Sequence, residues 1–213
     1  MSTHRLAIVA TLAALSLGTL GWSVASRESA DRPVEAPSAA SMYGVDPVHS
    51  SVIFKIKHAG VTNFYGRFDK MTGSWTFDPD DLSTASFEFE IDNATVNTGS
   101  NKRNNHLKSA DFFNVKQFPT TSFKSTKLES VSGSMYTLTG ELTLHGETHT
   151  VTADLEYLGE GSFGGHDLAA FEAIFTINRR DFGMTTYGAA DGSDTGVLGN
   201  TVKILISVEG PKQ

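Results

Sequence analysis

His145 and His149 have the most metal-like spacing in the chain. On a helix, two imidazoles separated by three residues share one face and can begin a zinc site. Here Gly146 lies between them and alternating runs flank them, so they straddle a hairpin turn and read as turn histidines, with no third ligand nearby. Gly159-Glu-Gly161-Ser-Phe-Gly164 fits a pyrophosphate-cradling pattern. That chemistry needs a helix immediately afterwards, and the residues that follow, GHDLAAFEAIF, read as loop and then strand. Asp191-Gly-Ser-Asp194 lacks the ligand count and the closing glutamate of a calcium loop. Glu88, Glu90 and Asp92 share a side of one alternating run, the wet face, where carboxylates are ordinary. Asn93-Ala-Thr95 is a glycosylation sequon, meaningful only in a glycosylating pathway. No serine sits in a nucleophile-elbow pattern. The chain has no cysteine, which excludes disulfides, thiolate metal sites and a thiol nucleophile. Arg103 and His106 remain, three residues apart on one helical face. They can hydrogen-bond a ligand's carbonyl or head group, or hold the local backbone down.

The elements that would position these groups are mostly strands. Ser50 to His58 alternates, with Val52, Phe54, Ile56 and His58 on one face. Thr62 to Phe77 alternates with a slip at Asp69–Lys70, the sequence mark of a bulge. Ala85 to Val96 follows, then Thr121 to Leu128, Tyr136 to Leu144, Thr148 to Tyr157, Leu168 to Asn178 and Val202 to Val208. A loop is expected from Gly159 to Asp167, and a long polar connection from Arg179 to Gly199. The interruption is Thr98 to Phe123. Ser100 can open a helix there through its side chain, Leu107, Phe112 and Phe113 face something apolar, and Pro119 stops the run. The pattern predicts an all-β fold: an antiparallel eight-stranded barrel with a helical cap inserted mid-chain.

The chain of 213 residues carries a formal net charge of −7, which argues against a nucleic-acid partner. His4 and Arg5 precede the uncharged run Leu6 to Ala25, which ends in Ser23-Val24-Ala25. Residues 1–25 read as an export signal cleaved after Ala25, with an uncleaved anchor as the alternative. Residues 26–42 read as a flexible linker and 43–210 as the folded domain.

The inward positions are nearly all apolar. Phe54, Ile56, Phe68 and Trp75 come from the first half of the sheet, followed by Phe87, Phe89, Ile91 and Phe123. Leu142, Phe171, Phe175 and Ile204 come from the second half, and Leu107, Phe112 and Phe113 from the cap. Gly66, Gly73, Gly140, Ala153 and Ala173 are interleaved with them, either to leave room or to interlock with the large residues. An eight-stranded barrel can be filled by its own side chains or hold one small ligand. A wall of this composition suits hydrocarbon, whose burial gains about 0.8 kcal/mol per CH₂. The other reading is a solid β-domain that uses the Arg179–Gly199 connection as an interaction or stress-sensing surface.

Several motifs together resemble the YceI-like family. They are Asp46-Pro47-Val48-His49-Ser50, Gly66-Arg67-Phe68, Arg103-Asn-Asn-His106-Leu107 through Phe112-Phe113, Phe118-Pro119-Thr120, Leu144-His145-Gly146, and Asn178-Arg179-Arg180-Asp181-Phe182-Gly183. The resemblance spans about Tyr43 to Gly210. It implies a lipocalin-like, non-enzymatic, periplasmic barrel that binds a long polyisoprenoid or an isoprenoid quinone. It also implies a link to stress responses. No cofactor is expected to be required, and the expected partners are the lipid ligand and a transient contact with the inner membrane, the chain being a monomer or homodimer. Arg103 and His106 are then the expected polar contacts at the cap.

Overall fold

The computed structural model describes residues 40–213. The expected export segment, and the expected linker up to residue 39, lie outside the described residues. The described chain is all-β with one short α-helix. Its strands are β1 (Ser41–Gly44), β2 (Ser51–His58), β3 (Thr62–Phe68), β4 (Met71–Phe77), β5 (Ser86–Asp92) and β6 (Val96–Asn97). After helix α1 (Asn101–Leu107) come β7 (Thr120–Ser132), β8 (Met135–Leu144), β9 (Glu147–Phe163), β10 (His166–Asn178) and β11 (Leu198–Pro211). They form one antiparallel sheet in the order β1-β4-β5-β7-β8-β9-β10-β11-β2-β3-β6. The sheet curls, so that Val52 of β2, Phe89 of β5, Leu142 of β8 and Phe175 of β10 face a common interior.

The strands number eleven, not the eight expected. The Thr62–Phe77 run changes partner at its slip. β3 pairs with β2, while β4 pairs with β5 and β1. The backbone at the break is held by Asp69 N donating to Thr95 O and Asp92 N donating to Lys70 O. The Ala85–Val96 run breaks at Asn93–Thr95, a 3-10 turn whose Ala94 N donates to Asp92 Oδ1 at 2.9 Å, and Val96 then starts β6. Ser41 and Met42, expected in the linker, are the first residues of β1. β9 and β10 run on through most of the expected Gly159–Asp167 loop, leaving only Gly164 and Gly165, both at positive φ, as the turn.

The expected helical cap shrinks to the seven residues of α1, followed by turns as far as Pro119. Ser100 stands at the N-cap position, but its side chain makes no cap bond. Asn104 Oδ1 instead accepts from the N–H and the hydroxyl of Thr98. Ser109 and Asn114 hydrogen-bond locally and divert the chain into turns. The segment is fixed at its far end by Asn93, which is fully buried and donates Nδ2 to Phe118 O at 3.0 Å. That burial removes the sequon asparagine from solvent.

One end of the interior is solid. Trp75 stacks on Tyr43 at 5.3 Å and meets Phe171 edge-on at 5.3 Å, and Phe87 meets Phe171 at 5.4 Å. Phe77 packs on Tyr136 and Tyr157 next to them. The interleaved glycines leave no free space. A Cβ on Gly66 would strike the Phe54 ring, and one on Gly140 the Phe123 ring. At these positions small residues seat large cross-strand neighbours.

Candidate functional site

The other part of the interior is hollow. It holds a cavity of about 180 Å³ whose lining is apolar apart from Arg103, Thr121, Ser122 and Arg179. Sheet register builds the wall. Phe89 lies opposite Phe123 and Phe123 opposite Leu142, while Phe175 lies opposite Ile204 and Ile204 opposite Phe54. Ile56, Phe68, Ile91 and Phe171 complete the contribution expected from the strands, and Leu107, Phe112 and Phe113 come from α1 and the turns after it. Phe113 meets Phe68 edge-on at 5.4 Å, which joins the α1 segment to the sheet wall.

Trp75 and Phe87, both expected in the wall, are not part of it. They are buried in the solid aromatic end, because tight ring packing there leaves no void. His106 also stays out of the cavity. Its Nε2 lies 2.8 Å from Asp111 Oδ2 and its ring meets Phe112 edge-on. His58, expected to point in, is exposed at the end of β2. Arg103 does reach the lining. Its Nε donates to Thr98 Oγ1 and its Nη2 to Thr98 O, while the guanidinium sits 4.4 Å over the Phe64 ring. Arg103 is exposed as well, so the cavity meets the surface beside it.

Arg179 is the main site residue that sequence reasoning missed. It lines the cavity at 3% exposure. Its Nε donates to Gly199 O at 2.9 Å, Nη1 to Met184 O at 2.7 Å and Nη2 to Thr186 O at 2.8 Å. Burial, and the neighbouring Arg180 charge, lower its pKa from the ordinary arginine value; Asp194 opposes that shift. Because guanidinium is so basic, the group stays a cation. Its setting in a polar run read as surface. Only the 179–197 connection folding back around it makes it part of the wall. His145 Nδ1 and His149 Nε2 approach the carbonyls of Phe182 and Asp181 at 3.1 and 2.9 Å, which ties that connection to the β8–β9 turn.

A curled antiparallel sheet around an apolar cavity defines a lipocalin-like fold. The YceI-like domain model matches residues 43–210, and the chain belongs to the YceI-like family. The UPF0312 protein of Pseudomonas aeruginosa strain PAO1 is 35% identical over 205 residues, covering 95% of this chain and 98% of the relative. The UPF0312 protein of Yersinia pestis strain Pestoides F is 34% identical over 202 residues, covering 94% and 96%. Among solved structures, Campylobacter jejuni YCEI protein aligns with a TM-score of 0.64 at 28% identity, covering 74% of this chain and 90% of that one. Burkholderia cenocepacia BcnA aligns at 0.69 with 24% identity, covering 78% and 99%. A polyisoprenoid binding domain from Saccharophagus degradans, implicated in plant cell wall breakdown, aligns at 0.59 with 16% identity, covering 80% and 98%. The last two likenesses concern the fold.

Proposed function

We propose that this chain binds a polyisoprenoid lipid or isoprenoid quinone, tail first, as a non-enzymatic carrier or reservoir in the periplasm. The observation that carries the reading is the cavity wall: hydrocarbon from β2, β3, β5, β7, β8, β10, β11 and α1, with two guanidinium groups and no carboxylate. Such a wall offers few free polar groups for a sugar or an amino acid, since the Thr121 hydroxyl bonds Asn93 and the Arg179 donors bond backbone carbonyls. It gains from every methylene it covers. The Saccharophagus fold neighbour, described as a polyisoprenoid binding domain, supports the same ligand class. The curled sheet acts as a barrel wall and the α1 segment as its cap.

The cavity volume also limits how the ligand sits. An apolar cavity of roughly 150 Å³ takes up one benzene. At that density 180 Å³ receives about seven carbon atoms, between one and two isoprene units. A longer chain continues out past Arg103 or displaces side chains of the α1 segment. Arg103, with donors left over after its bonds to Thr98, then faces the polar end of a short ligand or the emerging part of a long one.

The test is solvent extraction and native mass spectrometry of protein purified from its own host. A long-chain isoprenoid should be recovered at near-stoichiometric amounts. Protein that comes out lipid-free and takes up no added polyprenol or quinone would refute the reading.

A further inference from the structure

Three apolar side chains stand exposed at the cavity mouth. Val61 is 77% exposed, Val197 57% and Tyr187 55%. They are distant in sequence but adjacent in the fold. Ala59 N donates to Val197 O at 2.8 Å, and Leu198 N donates to Tyr187 O at 3.0 Å. The Tyr187 ring lies 6.1 Å from His106 and 6.3 Å from the cavity-lining Phe112. Tyr187 holds a φ of +60°, a strained backbone for a bulky residue, so the fold bears a cost to present it.

The charge around this patch differs from that of the whole chain. Thr98 to Pro119 carries Lys102, Arg103, Lys108 and Lys116 against Asp111 alone, in a chain of net charge −7. Asp111 is engaged by His106. The acidic groups elsewhere on this rim are Asp92, Glu147, Asp181, Asp191 and Asp194; Asp92 lies 3.8 Å from Lys70 Nζ, Asp191 accepts from Ser193, and Asp194 accepts from the backbone of Asn200 and Thr201. At the opposite end, exposed Val131, Leu158 and Phe163 stand among Glu129, Glu156, Glu160 and Asp167. The mouth combines exposed apolar side chains with a basic segment along one flank.

We infer that the mouth is a docking surface for an anionic lipid bilayer, with Val61, Val197 and Tyr187 entering the headgroup layer and Lys102 and Lys108 on its phosphates. Apolar insertion combined with attraction of basic side chains to anionic lipid is how peripheral proteins hold a membrane. Docked in this way, the cavity opens onto the acyl layer, and a tail passes between bilayer and protein without crossing water. The inference rests on the lipid-binding reading.

Because the chain has no cysteine, one can be placed at will. Full-length Val61→Cys and Val131→Cys are each labelled with an environment-sensitive fluorophore and mixed with vesicles of pure phosphatidylcholine, or with 30% phosphatidylglycerol added. The label reports its own surroundings, so attachment through another part of the chain does not obscure the comparison. The expected result is a blue shift and brightening at position 61 only, with phosphatidylglycerol only, weakened about fivefold by each of Lys102→Gln and Lys108→Gln. An equal response at 131, or none at 61, overturns the docking surface. Uptake of a fluorescent polyprenol added from ethanol is measured in parallel. Uptake without a response at 61 refutes the docking and leaves the lipid reading standing; no uptake removes both.

Discussion

Ala173→Leu fills the cavity from within. Ala173 is 4% exposed on β10, between Phe171 and Phe175, and its methyl group faces the void. Leucine adds three carbons to a space with room for about seven. Those carbons displace three that the ligand would bury, at about 0.8 kcal/mol each. The loss is about 2.4 kcal/mol, or roughly fifty-fold in Kd. The empty protein responds in the opposite sense. Extra hydrocarbon in a dry cavity adds contacts, so the unliganded form gains up to about 2 kcal/mol, which for a domain of this size is a rise of several degrees in Tm. The assay pairs titration with a fluorescent polyprenol and thermal unfolding of delipidated protein. Opposite signs in the two measurements are the signature. Unchanged affinity would place the ligand elsewhere, and a fall in Tm would mean that the interior is already full.

Phe175→Glu puts an unpaired carboxylate in the wall, so polyprenol uptake should fall below detection while the far-ultraviolet circular dichroism stays β-type; uptake at the wild-type level would exclude Phe175 from the site. Arg179→Met leaves the carbonyls of Gly199, Met184 and Thr186 without their donor at about 1–3 kcal/mol each, so the urea midpoint should drop by the equivalent of about 3 kcal/mol or more; an unchanged midpoint would mean that the 179–197 connection does not depend on it. The Asp46 carboxylate, 2.8 Å from His49 Nδ1, holds that imidazole above its ordinary 6.5, while its own pKa is held below the usual aspartate value. The His49 contribution to stability is complete below about pH 6.5 and fades as pH rises through the raised value, whereas the Asp46 contribution is complete above about pH 4 and fades as pH falls through the lowered one. Proton NMR should therefore show His49 titrating above 6.5 and Asp46→Asn lowering it toward 6.5, with Glu209 keeping part of the rise; a wild-type value at or below 6.5 would mean the pair does not form.

The sequence alone determined the strands and most of the cavity wall. Period-two alternation identified Phe54, Ile56, Phe89, Ile91, Phe123, Leu142, Phe175 and Ile204 as inward residues, because a strand must send alternate side chains to one face. The family was legible too, since most of its motifs lie in turns and at the α1 segment, where local chemistry sets the residues. The division of the interior into a solid end and a hollow one was decided by the tertiary structure. Trp75 and Phe87 alternate as well as Phe89 does, but cross-sheet contacts with Tyr43 and Phe171 fill the space around them. For Gly66 and Gly140 the sequence left open whether they make room or interlock with large residues; the rings of Phe54 and Phe123 occupy the space beside them. Arg179 had the composition of a surface residue, and its burial depends on carbonyls of residues 184–199 brought round it. Alternation specifies the face to which a side chain points; what it meets there depends on pairing partners many residues away, and a local pattern does not encode that distance.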